Sequence, residues 1–375
     1  MSGEKTEQQG EMKLQNLLSL NSKEEYLPTE QEMKIIEEEL LKMKRDFKVS
    51  NIEELTEKLY HENLEKLKNK ETEKLVGFPL DKKIIDNILQ KINPNWKELI
   101  LFVNPYALKD NNKSEALKTP RFSIGTTIEA QILRHLPSEI FLEKYNEGLI
   151  SKLVIGVASV VMYKEEGEQY LILGKRKSGS AKGALQHLPG GTGIPTRTLY
   201  LPTEETIEIL EKGGMNEKIR DWFIESYFQL DTSKEKIPYD AKEDITLEKI
   251  TYKDMIEASM AWECFEELGI ILPKEGNFIP VSLNLNPFSR AVDYAGHIGI
   301  KDESGLNKER ILQRYELSPG GRKESSDLVF IPLGRLDEII ALPNYDKEKH
   351  KDGEGTIFYV TKVLLESVKT YLEKK

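Results

Sequence analysis

The sequence predicts an α/β protein in which a strand-rich region, residues 152 to 375, follows a mainly helical one, residues 29 to 151. Three observations carry that expectation. Apolar residues recur at steps of three and four in the first region, β-branched runs bounded by turn residues open the second, and the chain closes on an amphipathic helical stretch.

Residues 1 to 28 read as a flexible tail, because so polar a stretch cannot repay its ordering entropy. Thr29 to Glu32 fits a capping box, and Met33, Ile36, Leu40, Met43 and Phe47 then form one seam of a helix. Ser50 to Glu53 repeats the box and opens a second helix through Ile52, Leu55, Leu59 and Leu67, which Gly77 and Pro79 end. A third spans Ile84 to Ile92 and stops at Asn93 before Pro94. ELILFVNP is either a strand or a buried helix end, and Arg121 to His135 reads as a surface helix, or as a segment whose basic ends meet phosphate. These helices suit a small packed bundle, or one that mediates dimers or narrows substrate choice.

In the second region LVIGVASVVMY, the turn EEGE and QYLILGKR read as a β-hairpin that delivers Lys175, Arg176 and Lys177. NFIPVSLNLNP and YAGHIGIKDE read as strands, LVFIPLGRLDEIIAL as a strand entering a short helix, and TIFYVTKVLLESVKTYL as the closing helix.

Two segments carry chemistry. MAWECFEELGI sets Glu263, Glu266 and Glu267 at i, i+3 and i+4, so one helix face gathers three like charges. Such a face is either solvated or neutralised by a cation, and carboxylate oxygens are the ligands hard divalent ions take. The second segment, GKRKSGSAKGALQHLPGG, ends in Pro189, Gly190 and Gly191, a turn where backbone can approach a ligand. With Gly269 as a helix stop, these neighbours favour a metal site over a solvated face.

Together the PGG turn and the x-E-x-x-E-E-x-G helix resemble the signature of Nudix hydrolases, G-x5-E-x7-R-E-U-x-E-E-x-G-U. Gly191 takes the opening glycine, Glu263, Glu266 and Glu267 the metal-binding glutamates, Cys264 the apolar U, and Gly269 and Ile270 the final two positions. Trp262 stands where the family has arginine, and the earlier motif glutamate falls on Asp254. Gly191 and Asp254 lie 63 residues apart (254 minus 191), where the family spaces them six apart. Residues 192 to 253 therefore read as an insertion. Its amphipathic runs, Thr203 to Gly214 and Ile219 to Tyr227, suggest a helical lid or a dimerisation arm.

The resemblance implies an α/β/α sandwich with a mixed sheet over residues 152 to 375, and metal-dependent cleavage of a diphosphate linkage in a nucleotide or nucleoside diphosphate derivative. Magnesium or manganese would sit on Glu263, Glu266 and Glu267, Lys175 and Arg176 would clamp the anion, and Gly190 and Gly191 would approach the substrate. The general base is one of those glutamates, or Glu324 or Asp327. The alternative is a Nudix-like sensor or scaffold that binds a nucleotide without turnover. An isomerase of the isopentenyl diphosphate type shares the superfamily fold but needs a reactive cysteine, and Cys264 inside the motif helix does not suit that role.

A net charge of −10 without a long basic run disfavours general nucleic-acid binding, since phosphate contacts supply most non-specific affinity. No apolar run approaches the ~20 residues of a membrane span, and the start lacks a secretory core, so a soluble, cytoplasmic protein is expected. Cys264 is the only cysteine and reads as a buried thiol. The five histidines lack zinc-site spacing; His187 either structures the turn or touches substrate, and His297 is equally open.

Overall fold

The computed structural model describes residues 18–19, 30–109, 121–179, 181–192, 199–202, 236–237, 245–250, 255–272, 278–286, 290–300, 305–318, 320–321, 325–346 and 349–375. Both amphipathic runs of the insertion, Asp254 and Glu324 lie outside the described residues, as does nearly all of the tail. The chain divides into two compact units: Met1–Gly156 with Thr192–Thr196 and Ser282–Tyr294, and Val157–Gly191 with Arg197–Val281 and Ala295–Lys375.

In the first unit a two-residue strand β1 (Leu18–Ser19) precedes helices α1 (Glu30–Asp46), α2 (Ile52–Lys68), α3 (Glu73–Val76) and α4 (Lys82–Lys91). The cap of α2 is Asn51 rather than the Ser50 expected from the sequence, because the Asn51 side chain accepts the Glu54 N–H at 2.8 Å. ELILFVNP resolves as strand β2 (Leu99–Val103), followed by a short helix α5 (Pro105–Lys109).

The surface helix expected over Arg121 to His135 is a misreading. Phe122–Thr126 is strand β3, antiparallel to β2 from Leu99↔Thr126 to Val103↔Phe122. Only Thr127–His135 is helical (α6), and every residue from Thr127 to Leu133 is buried. The physical reason is a true capping box at Thr126 and Glu129, which starts the helix five residues later than the basic end of the segment. Ile100, Phe102, Ala130, Val154 and Ala291 form the unit's apolar cluster, with Trp96 packed against it. A further helix, α7 (Ser138–Asn146), buries Phe141 and Tyr145.

Strand β4 (Leu153–Glu165) starts against β2, at Phe102↔Val154 and Val103↔Leu153, and carries the chain into the second unit. There the expected hairpin is present: β5 (Glu168–Arg176) returns antiparallel, with Glu166 and Gly167 at positive φ in the turn. β6 (Leu185–His187) pairs with the end of β5, and β7 (Gly190–Thr192) pairs with β4. Of the insertion, β8 (Leu199–Pro202), β9 (Lys236–Ile237) and β10 (Ile245–Ile250) are described and make a small antiparallel sheet.

Helix α8 (Met255–Leu268) carries the three glutamates. Beyond it come β11 (Phe278–Asn286), β12 (Ala291–Gly299), helix α9 (Lys308–Leu317), β13 (Ser325–Pro332) along β5, helix α10 (Leu336–Ile340) and helix α11 (Tyr359–Glu373). The strand pairs with defined register are antiparallel, and Ile357 makes single parallel bridges with Leu185 and Asn344.

Alternation along β4 builds the core of this unit. Ala158, Val160 and Met162 join Leu171, Leu173 and Ile331 in a cluster closed by Leu364, Leu365 and Val368 of α11. Each such leucine contributes about 2 kcal/mol by leaving water. The opposite face of β4, Val157, Ser159, Val161 and Tyr163, is buried as well, so this strand is covered on both sides. Among the described residues no helix is long and apolar enough to cross a membrane.

Candidate functional site

The site is built from the end of the β5–β7 run and the last two turns of α8, all in the second unit. Pro189, joined to Leu188 by a cis peptide bond, gives its carbonyl to the Ser159 N–H of β4 at 2.9 Å, which seats the turn against the sheet. Gly190 and Gly191 follow. Gly190 N–H donates to Glu267 Oε2 at 3.0 Å, a contact between residues 77 positions apart. A methyl group on Gly191 would lie 1.8 Å from Glu263 Oε1, so only glycine lets that carboxylate reach the backbone there.

Helix α8 holds its acids against local preference. Glu266 and Glu267 stand in its final turn, which contains no basic residue, where the helix dipole presents partial negative charge. Compensation comes partly from a distant segment and partly from the previous turn of the same helix. Glu267 is only 4% exposed and accepts the Gly190 N–H, while Glu266 Oε2 accepts the Trp262 Nε1–H at 3.1 Å. Trp262, standing where the family motif has arginine, thus supplies a neutral donor.

The helix end is closed by Gly269, the expected stop, and by residues around α9 that the sequence alone does not single out. Gly269 adopts φ +67, and a side chain there would meet the Arg314 carbonyl of α9 at 2.1 Å. Gly320 N–H donates to the Glu266 carbonyl at 2.8 Å, and a methyl on Gly320 would lie 2.7 Å from the Glu266 side chain. Tyr315 braces this loop through its hydroxyl, 2.7 Å from the Ser325 carbonyl. The Pro-Gly-Gly spelling after α9 was the available signal, since it repeats the turn chemistry of the first site segment.

Lys175 and Arg176 find other partners. Lys175 Nζ lies 3.2 Å from Glu354, and Arg176 donates to Gln186 Oε1 at 3.2 Å while stacking over Phe358. Asp327 pairs in register with Lys175 on the exposed face of β13. His187 stands beside the turn: its backbone N–H and Nδ1 both lie within 3.0 Å of Thr361 Oγ1 in α11, and burial lowers its pKa to about 4, leaving it neutral. His297 packs against Tyr371 at 5.6 Å between ring centroids. Cys264 is fully buried, and burial with the adjacent Glu267 carboxylate pushes its thiol well up, which removes it as a nucleophile.

As the side chains stand, no three His, Cys, Asp or Glu groups among the described residues share one ion-sized space. Glu263 and Glu267 meet at the glycine turn, whereas Glu266 is drawn to Trp262. The donors are carboxylate oxygens alone, the chemistry a hard divalent cation takes.

No family model matches the sequence, and no curated relative is matched. Among solved structures, the NUDIX domain of Shewanella oneidensis NrtR complexed with ADP ribose is similar at 10% identity and a TM-score of 0.29, over 63% of this chain and 99% of that one. A likeness this slight leaves the function of the chain to be argued from its own residues.

Proposed function

We propose that the chain is a metal-dependent hydrolase that cleaves a diphosphate linkage in a nucleotide or nucleoside diphosphate derivative, as the resemblance to Nudix hydrolases implies. The supporting observation is the convergence of Glu263 and Glu267 on the backbone of Gly190 and Gly191 across the long insertion. An ordinary acidic helix face has no reason to reach a distant glycine pair.

Glu263, Glu266 and Glu267 would hold magnesium or manganese. Bound there, the ion supplies neutralisation of phosphate charge and a lowered pKa for the attacking water. To take part, Glu266 would have to release the Trp262 Nε1–H, while Glu267 already accepts the Gly190 N–H. Gly190 and Gly191, lacking side chains, let Glu263 and His187 come close to the main chain, where a phosphate group would be met. Lys175 and Arg176 serve the anion only by exchanging Glu354 and Gln186 for it.

A second reading, nucleotide binding without turnover, is favoured by the hold of Trp262 on Glu266. Incubation with magnesium and a panel of ADP-ribose, nucleoside triphosphates, dinucleoside polyphosphates and NAD separates the two. Cleavage of one class at the anhydride is the expected result. Tight binding with no product would leave the second reading standing, and neither binding nor product would end both.

A further inference from the structure

The glycine turn carries one side chain to which the proposed reaction assigns no task. His187 contributes two groups to Thr361 Oγ1, its backbone N–H at 2.9 Å and its ring Nδ1 at 3.0 Å. Its other ring nitrogen, Nε2, stands over Gly190, where an added methyl would lie 2.7 Å away. His187 as a residue is half-buried.

Which ring nitrogen carries the proton follows from the hydroxyl. Thr361 is fully buried and accepts the His187 N–H with one lone pair. Ser367 and Thr370 of the same helix give their hydroxyl protons to the carbonyls of Val363 and Glu366, four residues back. The described hydrogen bonds of Thr361 run to His187 instead. Donation to Nδ1 at 3.0 Å gives the buried hydroxyl proton a partner, and a neutral imidazole that accepts at Nδ1 carries its own proton on Nε2.

We propose that His187 is a positioning residue for the phosphate group, locked by Thr361 as the Nε2–H tautomer so that it offers an uncharged donor beside Gly190. This rests on the reading of the glycine turn as a phosphate-binding site. A neutral donor suits a place next to Glu263 and Glu267. It gives an anion a hydrogen bond without forming a rival ion pair with the carboxylates that a divalent cation needs. The fixed ring also adds direction, since a ligand oxygen must come to Nε2 to accept.

Long-range 15N–1H correlation spectra of the imidazoles, with His187 assigned by its absence from His187→Gln, test the tautomer directly. The wild type is expected as Nε2–H, Thr361→Ser likewise, and Thr361→Val as a mixture with Nδ1–H. Calorimetric titration with ADP-ribose tests the role. His187→Gln, whose amide can donate from a similar place, and Thr361→Ser are expected to keep affinity within about threefold, whereas His187→Leu loses roughly tenfold, the value of one hydrogen bond. Thermal melts identify any variant that fails to fold, and the wild-type spectrum needs no variant beyond the assignment. An Nδ1–H tautomer, or a folded His187→Leu that binds as well as wild type, would overturn the role of His187 alone. Failure of the wild type to bind any panel nucleotide, with the tautomer as predicted, would instead overturn the phosphate-site reading on which it depends.

Discussion

Glu129 and Glu267 are nearly equally buried, 5% and 4% exposed, yet they sit at opposite ends of their helices. Glu129 stands in the first turn of α6, where the helix dipole welcomes it, and accepts the Thr126 N–H three residues back at 2.6 Å. Asn63 and Lys152 complete its surroundings. Glu267 stands in the last turn of α8, where the dipole opposes it, and its bond to Gly190 comes from far along the chain. A buried carboxylate that agrees with its helix is accounted for by folding. One that disagrees and is held in place from a distance calls for a role.

The comparison can be broken first at α8. Glu266→Gln is expected to lower turnover on whichever panel substrate is cleaved by about a hundredfold or more, the scale of losing one group that stabilises developing charge. The melting temperature should stay within a few degrees of wild type. Unchanged kcat/KM in that variant would remove the acidic helix from the site.

Glu129→Ala should do the reverse. It strands the buried Thr126 N–H and takes an acceptor from Asn63, and is expected to cost about 2 kcal/mol in urea unfolding. Specific activity per folded molecule should not move. A large kinetic effect at wild-type stability would erase the distinction between the two acids.

Acid sharpens the contrast through His187. Its folded pKa, about 4, lies below the ordinary value of 6.5, so between those values the unfolded chain binds a proton that the folded chain refuses. Stability from this group is complete above pH 6.5, falls as the pH drops toward 4 and levels off below it, by up to about 3 kcal/mol. Urea midpoints at pH 7 and pH 4 should differ less for His187→Gln than for wild type. Equal differences would mean the ring protonates freely in the folded state.

The smallest effect is expected at Trp262. Replacing it with Phe removes the Nε1–H donor to Glu266, costs about 1 kcal/mol or less, and should raise manganese affinity several-fold by releasing the carboxylate. Weaker manganese binding would show instead that Trp262 holds Glu266 in its ligating position.

Much of the fold was legible because its signals are local. The β4–β5 hairpin announces itself through a β-branched run and a Glu-Gly turn, and α11 through its apolar seam. The strand β3 was missed, although the Thr126 to Glu129 capping box marks where the helix starts. In the site, the shared face of the three glutamates follows from helical spacing. Their partners do not: Gly190 for Glu267, Gly320 for the Glu266 carbonyl and Thr361 for His187 are set by tertiary packing. The partners of the cations were hidden for the same reason, since nothing near Lys175 in the chain points to Glu354.

Strand β4 begins beside Val103 and Phe102 and ends in the hairpin with β5, so a single stretch of main chain serves both compact units. Anyone dissecting the molecule by proteolysis or by expressing halves would find no clean seam at its start. A fragment beginning at residue 152 keeps Leu153 and Val154 but strips them of their ladder partners, leaving a frayed, sticky border.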